Sequence, residues 1–197
     1  MFVSTPTYSK NYILNIAQIS EYELPVAGEK SLNLSNLNKV GLPVQAGFII
    51  TSKTFDDFIF SNNLITKINE INAQVYQGRI STKKAEASIK RLIQNGKFPN
   101  LMQESLSRAY ALLTNGKDMT LKLEISSVNA ELKESIQNNN ENIILCDNFQ
   151  DFLQKLKTTW TELFSREAID FRLNTKYKGV LSMAVVVSKF LVPGITG

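Results

Sequence analysis

Apolar residues recur along the chain at two spacings, which predict two kinds of secondary structure. Short apolar runs and period-two alternation predict β-strands, whereas spacings of three and four residues predict amphipathic helices. The predicted strands are 12–16, 47–50, 119–126, 143–146 and 180–187. The predicted helical segments are 31–40, 52–62, 64–114 and 149–171.

Breaker residues and apolar stripes define these helices further. Gly41 is expected to end the first helix, Pro99 to open the last helix within 64–114, and Asn115-Gly116 to close it. The apolar stripe from Phe149 to Phe171 predicts one long final helix. The residues expected to face inward are Leu34, Leu37 and Val40 in the first helix, and Leu101, Leu106, Ala109, Leu112 and Leu113 after Pro99.

The size and composition suit one soluble domain or two small lobes. The chain has 197 residues, of which 43% are hydrophobic and 20% charged. Its apolar runs are shorter than the ~20 residues of a membrane span. The N-terminus lacks a basic segment followed by an apolar core, which predicts a cytoplasmic protein. Residues 1–11 are mostly polar and are expected to be flexible.

The residue inventory excludes several kinds of chemistry. The sequence has no histidine and one cysteine, Cys146, so His-based nucleophilic catalysis, His metal ligands and an internal disulfide are excluded. The net charge is +4, but the basic residues are scattered, and their adjacent pairs at 83–84 and 90–91 lie on an expected solvent-exposed helix face. We therefore expect neither nucleic acid nor a membrane as a partner.

The turn at Gly28-Glu29-Lys30-Ser31 is the first candidate binding site. Backbone amides at a helix start favour an anion, and Lys30 adds a compact positive charge suited to phosphate. A glycine turn leading into a helix with an exposed lysine is the simpler local interpretation. The segment lacks the Gly-x-x-x-x-Gly-Lys-Ser/Thr spacing of a Walker A loop.

Three further places could carry chemistry, each with a structural alternative. Ser126 and Ser127 follow the alternating strand and could contact a phosphate or form a turn. The segment Val185–Val192 could present backbone groups to a base edge or serve as a buried strand. Cys146 has no basic neighbour in the sequence, so a buried structural thiol is the expected interpretation.

Five stretches form a pattern that none of them provides alone. Residues 28–37 are GEKSLNLSNL and residues 41–51 are GLPVQAGFIIT. The others are EISSVNAE at 124–131, TELFSREAIDFR at 161–172 and MAVVVSKFL at 183–191. In this order they resemble the N-terminal ATP-binding region of the phosphoenolpyruvate synthase family, which includes pyruvate phosphate dikinase and rifampin phosphotransferase. The family patterns are Gly-Gly-Lys-x-x-x-Leu-x-x-Leu, Gly-x-Pro-Val-Pro-x-Gly-Phe, Val-Arg-Ser-Ser-Ala-x-Ala-Glu, Ala-Ser-Leu-Phe-x-x-x-Ala-Ile-x-Tyr-Arg and Met-Ala-Val-x-Val-Gln-x-Met-Val.

The resemblance implies an ATP-grasp-type fold in which ATP binds between two subdomains. Lys30 corresponds to the family lysine that contacts ATP phosphates, and Lys189, Phe190, Leu191 and Val192 correspond to the hinge along the adenine. The implied cofactor is ATP with magnesium, whose carboxylate ligands in the family lie outside this chain. In the family, phosphate then passes to a histidine on a separate domain and on to pyruvate or another acceptor.

Several positions depart from the family pattern. Ile125 stands where the family has a phosphate-binding arginine, Glu29 replaces the second glycine and Ser188 replaces the hinge glutamine. The polar segment 131–142, with asparagine at 138–140, replaces a glycine-containing lid and is expected to be a mobile loop. An aliphatic side chain cannot supply the paired charged hydrogen bonds of a guanidinium.

These observations together predict an α/β fold (α+β-like) with a small mixed sheet and many helices. Residues 12–197 are expected to form the incomplete first part of an ATP-grasp-type domain. The expected function is that of an ATP-binding lobe of a phosphoenolpyruvate-synthase-like phosphotransferase, inactive alone, whose missing domains or a partner chain complete it. The alternative is a degenerate, non-catalytic family member that acts as a binding or regulatory module.

Overall fold

The computed structural model describes residues 12–117, 119–128, 143–176 and 181–190. The predicted segment 131–142 and hinge residues Leu191 and Val192 lie outside these ranges. The strands are β1 (Ile13–Asn15), β2 (Gly47–Ile50), β3 (Leu121–Ser127), β4 (Ile144–Cys146) and β5 (Met183–Lys189). The helices of the described residues are α1 (Leu24–Lys39), α2 (Ser52–Ser61), α3 (Leu64–Tyr76), α4 (Thr82–Asn95), α5 (Asn100–Thr114), α6 (Phe149–Thr161) and α7 (Arg166–Thr175).

The strands form one sheet in the order β1-β2-β5-β3-β4. The α/β prediction is confirmed, with a correction to the expected mixed sheet, because all of these strand pairings are antiparallel. β5 lies between β2 and β3 and pairs with β3 along its whole length, from Ser127↔Met183 to Leu121↔Lys189. Val185–Ser188 of β5 are thus paired on both sides, with β2 and with β3.

The two faces of the sheet support hydrophobic clusters of different sizes. The larger cluster includes Leu121 and Leu123 of β3, Val185 and Val187 of β5, and residues of α2 to α6. The smaller cluster joins Ile49, Ala184 and Val186 to Ala27 of α1 and to Ile16 and Ile19. Because side chains alternate across a strand, β2 and β5 each contribute to both clusters. α1 thus packs on one face, and the other helices that contact the sheet pack on the other.

An aromatic group lies at the centre of the larger cluster. Trp160 of α6 is fully buried, and its ring centroid lies 5.0 Å from that of Phe58, 5.7 Å from Phe55 and 5.8 Å from Phe98. Phe152, one of the predicted stripe residues of this segment, is also fully buried. The apolar stripe that predicted α6 is therefore the face that closes this side of the sheet.

The predicted inward-facing residues of two helices are partly wrong. Leu37 and Val40, at the end of α1, and Leu101 and Leu112, in α5, are exposed instead of inward-facing. α1 buries Ala27, Gly28, Ser31 and Ser35 in their place, since only small side chains fit where this helix approaches the sheet.

The final helix is also broken, although the sequence predicted it to be continuous. Ser165 has an extended backbone and accepts a hydrogen bond from the amide of Ala168 at 3.2 Å, so it caps a new helix, α7. Both Leu163 and Phe164, which precede the break, are buried. The chain therefore changes direction at Ser165 while the residues on both sides of the break, including Ala168 and Ile169 of α7, remain buried.

Candidate functional site

Gly28 brings the predicted anion-binding turn against the end of β3. It has φ 79° and ψ 166° and interrupts α1, a conformation that is essentially restricted to glycine. A Cβ atom there would lie 2.5 Å from Ser126 Oγ and 2.6 Å from the carbonyl oxygens of Ser126 and Ser127. The helical segment after Gly28 therefore begins directly beside the end of this strand, in contact that a larger residue would prevent.

Hydrogen bonds between two serines connect this helical segment to β3. The amide of Ser31 donates a hydrogen bond to Ser126 Oγ at 3.2 Å, and the Ser31 hydroxyl donates to the same atom at 3.1 Å. Both side chains are fully buried. Two sequence candidates, the Gly28–Ser31 turn and Ser126, thus lie together. The described contacts of Ser126 favour its structural interpretation, because its hydroxyl oxygen accepts both bonds from the helix.

Lys30 belongs to a charged cluster on the α1 side of the sheet, with Glu124 at its centre. Its ammonium lies 2.8 Å from Oε1 of Glu124, and the ammonium of Lys122 lies 3.0 Å from Oε2 of the same carboxylate. The Lys30 side chain is 45% exposed, against 17% for Glu124 and 22% for Lys122. We call Lys30, Glu124 and Lys122 the lysine–glutamate cluster.

The electrostatics of this cluster favour an ionised carboxylate. Burial of Glu124 opposes its ionisation, but hydrogen bonds and charges from Lys30 and Lys122 outweigh burial and hold the Glu124 pKa below its usual range. The cluster thus combines one carboxylate with two lysine ammonium groups. Its net charge favours an anionic ligand, while its carboxylate engages both cations.

Lys122 and Glu124 were missed by the sequence analysis, although the sequence contained a signal for them. Positions 122, 124 and 126 share one face of the alternating strand, and Ser126 was already a candidate. The pairing of Lys30 with Glu124 spans 94 positions of sequence and depends on how α1 packs, so no local pattern indicates it.

Ile125, at the position of the family arginine, lies on the other face of β3. It is partly buried and packs against the larger hydrophobic cluster, together with Leu121 and Leu123. An aliphatic side chain at this position is consistent with packing and supplies no charged hydrogen bond to a phosphate.

The described part of the predicted hinge continues the sheet. The amide of Lys189 donates to the carbonyl of Ala46 at 3.2 Å, and the amide of Phe190 donates to the carbonyl of Thr120 at 3.0 Å. Lys189 lies opposite Leu121 in the register, whereas Glu124 lies opposite Val186. Three residues therefore separate the hinge level from the cluster level, or about 10 Å along the strands.

Cys146 is a buried thiol, as the sequence predicted. Burial, together with the charges of Asp151 and Asp147, raises its pKa to about 12. Because the thiolate is the nucleophilic form, Cys146 is not suited to nucleophilic chemistry in the folded protein.

The part of the chain that the structure describes contains no group of three or more carboxylates or thiols that could hold a metal ion. Its helices are also too short or too polar to cross a membrane.

Comparison with known proteins shows the family of this chain. Residues 24–197 match the family model described as the pyruvate phosphate dikinase AMP/ATP-binding domain. The chain is 27% identical to a phosphoenolpyruvate synthase of Aeropyrum pernix over 92% of this chain and 23% of that protein. It is 27% identical to a probable phosphoenolpyruvate synthase of Methanothermobacter thermautotrophicus, over 91% of this chain and 27% of that protein. A rifampicin phosphotransferase of Bacillus cereus is 23% identical, over 95% of this chain and 22% of its own length. The chain thus spans about a quarter of the length of these relatives.

Proposed function

This chain belongs to the family of the pyruvate phosphate dikinase AMP/ATP-binding domain, and we propose that it binds ATP as one lobe of a phosphoenolpyruvate-synthase-like phosphotransferase. The observation that carries the proposal is the position of Lys30. Its partly exposed ammonium lies in the first turn of the helical segment after Gly28, where a helix start and a lysine both favour a phosphate.

The hinge provides a proposed contact for the adenine. We propose Lys189, Phe190, Leu191 and Val192 for this contact. Lys189 is the last residue of β5 and lies about 10 Å along the strand from the level of Glu124, and Phe190 follows it. Since the amides of Lys189 and Phe190 already donate within the sheet, their carbonyl oxygens and the Phe190 side chain are the groups that we propose for the adenine. The Lys189 side chain shares a face of β5 with Val185 and Val187, which belong to the larger hydrophobic cluster on the face opposite Lys30. An extended nucleotide would then run along β5 from the hinge to Lys30.

The lysine–glutamate cluster offers no available carboxylate for magnesium. This ion binds through one or two carboxylates together with substrate phosphates, and the carboxylate of Glu124 is held by two lysines. We therefore assign no magnesium ligand to this lobe and no step to the ion. The sequence also has no histidine. In the proposed reaction, a phosphorylated histidine and the acceptor, pyruvate or a similar molecule, must come from other domains.

A second candidate function is a non-catalytic binding or regulatory module. Ile125 in place of an arginine favours this alternative, because losing one charged contact to a transferring phosphoryl group lowers the rate on the order of 10²–10³-fold. Glu29 adds a negative charge next to the same turn. In this alternative, the protein retains the fold of the family but does not take part in phosphoryl transfer.

Calorimetry and thermal denaturation of the 197-residue chain with ATP and ADP, each with and without magnesium, test the proposal. ATP at 100 times its dissociation constant should stabilise the fold by about 2.7 kcal/mol. Lys30→Ala should weaken ATP binding at least tenfold, since it removes the proposed phosphate contact. Lys67→Ala, which removes an exposed lysine of α3 on the other side of the sheet, serves as the matched control and should bind like the wild type.

The results separate the two candidate functions. Saturable binding that Lys30→Ala weakens and Lys67→Ala preserves supports the nucleotide-binding lobe. Wild-type protein that shows no heat and no stabilisation with either nucleotide contradicts that proposal and leaves the non-catalytic module. Equal losses in both lysine variants would show that binding depends on overall charge and not on Lys30.

A further inference from the structure

We infer that Glu124 is a counter-ion built into the nucleotide site, which competes with the phosphates of the ligand, and that Lys122 is a second phosphate-binding cation. The inference rests on the proposed function. It assigns electrostatic roles to Glu124 and Lys122. These roles are separate from the departures from the family pattern at Glu29 and Ile125.

The geometry of the lysine–glutamate cluster is the basis of the inference. Each oxygen of the Glu124 carboxylate engages one lysine, Lys30 at 2.8 Å and Lys122 at 3.0 Å. These distances are those of charge-assisted hydrogen bonds. One carboxylate therefore holds two ammonium groups side by side, although they come from α1 and β3, which are far apart in the sequence.

A phosphate offers these two ammonium groups the same kind of acceptor as the carboxylate does. A phosphate that reaches Lys30 must displace the Glu124 oxygen or share the ammonium with it, and the two anions repel each other at contact distance. Glu124 thus lowers the affinity of the site, while it keeps both cations in place before the ligand arrives. Once Glu124 is displaced, Lys122 is free to bind the same phosphate group or the next one.

Within the part of the chain that the structure describes, strand pairing leaves one side of Glu124 open. β4 pairs with β3 only at Leu121–Leu123, so Glu124 lies just past the end of that pairing. On the other side it pairs with Val186, whose aliphatic side chain offers no ionic partner. Lys30 is the most exposed member of the cluster, and a ligand from solvent would reach it first.

The substitution Glu124→Gln shows whether Glu124 competes with the phosphates of the ligand or helps the lysines to bind them. Glutamine keeps the size of the side chain and removes the negative charge. The inference predicts that the 197-residue variant binds ATP about tenfold more tightly than the wild type, measured by calorimetry. Glu104→Gln removes the same charge from an exposed ion pair with Arg108 on α5 and should leave ATP affinity unchanged.

Substitution of Lys122 tests its assigned role and does not depend on the folding of Glu124→Gln. Lys122→Ala should weaken ATP binding several-fold, because it removes one cation and leaves Glu124 entirely on Lys30. In the background of Glu124→Gln, Lys122→Ala should abolish most of the tenfold gain. Circular dichroism spectra that match the wild type show which variants keep the fold.

The outcomes distinguish this inference from the proposed function. If the wild type binds ATP through Lys30 and Glu124→Gln binds with equal or lower affinity, Glu124 supports the lysines instead of competing, and the inference is wrong. If Lys122→Ala binds ATP like the wild type, Lys122 is not a phosphate contact. If neither the wild type nor any variant binds a nucleotide, the proposed function is wrong and the inference is wrong with it.

Discussion

Successive residues of β3 lie in two different environments, because side chains alternate between the two faces of a strand. Glu124 and Ser126 contact α1, whereas Ile125 between them packs against the larger hydrophobic cluster. A register shift by one residue would bury the carboxylate in that cluster and expose Ile125. The charge of Glu124 is tolerated only on its present face, where two lysines reach it.

The lowered pKa of Glu124 predicts a pH-dependent contribution to stability. A carboxylate with a pKa below its unfolded value stabilises the fold above the unfolded pKa and loses this effect as the pH falls through the folded pKa. Glu124→Gln should therefore reduce the free energy of unfolding at pH 7 by about 1–2 kcal/mol. The difference from the wild type should shrink as the pH is lowered towards 3.

Chemical denaturation at pH 7 and at pH 3 measures this effect. Glu104→Gln, whose ion pair with Arg108 is exposed, should differ little from the wild type at either pH. A loss of stability in Glu124→Gln that is the same at both pH values would mean that charge is not the source of the contribution.

At the scale of an element, α1 is two helical pieces joined at Gly28. Pro25 lies in the first turn of the first piece, and the second piece begins at the contact with β3. Ser35 and Lys39 of the second piece both donate hydrogen bonds to the carbonyl of Ile19, each at 2.7 Å. These polar contacts hold α1 at a distance at which Lys30 reaches Glu124.

Gly28→Ala should be strongly destabilising because it combines a strained backbone with a steric clash. The backbone conformation alone costs about 1–3 kcal/mol for a residue other than glycine, and the added Cβ would lie 2.5–2.6 Å from atoms of Ser126 and Ser127. We expect a loss of more than about 2 kcal/mol in the free energy of unfolding, together with weaker ATP binding.

Gly78→Ala is the matched control for this prediction. Gly78 also has a positive φ, 66°, but a Cβ there would meet no atom within 4 Å. Its substitution should cost only the conformational strain, about 1 kcal/mol. Equal losses of stability in the two variants, measured by urea denaturation, would argue against the close contact between Gly28 and β3.

The whole molecule places most of its hydrophobic core on the face of the sheet opposite the lysine–glutamate cluster. Trp160 is fully buried among Phe55, Phe58 and Phe98, whereas the α1 side has the smaller cluster. Stability and the proposed binding site are thus largely separated by the sheet. Core variants should change the stability of the protein more than its affinity for nucleotide.

Trp160→Ala should lower the free energy of unfolding by about 3–5 kcal/mol, the usual cost of truncating a buried aromatic residue. Leu112→Ala, which changes an exposed leucine of α5, should change stability by less than about 0.5 kcal/mol. Guanidinium denaturation of both variants measures the difference. A large loss in Leu112→Ala would contradict its exposed position and restore the inward orientation that periodicity predicted.

The sequence by itself determined most of the order and type of the elements, though not the break at Ser165, since local spacing and breaker residues favour helix or strand in each segment. The strands at β2 and β5, the turn at Gly28 and the burial of Cys146 all follow from neighbouring residues. The resemblance of five stretches also indicated the family.

Only the tertiary structure decided which parts of the chain meet. The exposure of Leu112, the burial of Ser31 and the antiparallel pairing of β5 depend on how closely elements approach one another. The contact of Lys30 with Glu124 joins residues 94 positions apart. Local spacing carries no information about such distances, because the position of α1 on the sheet is set by packing over the whole domain.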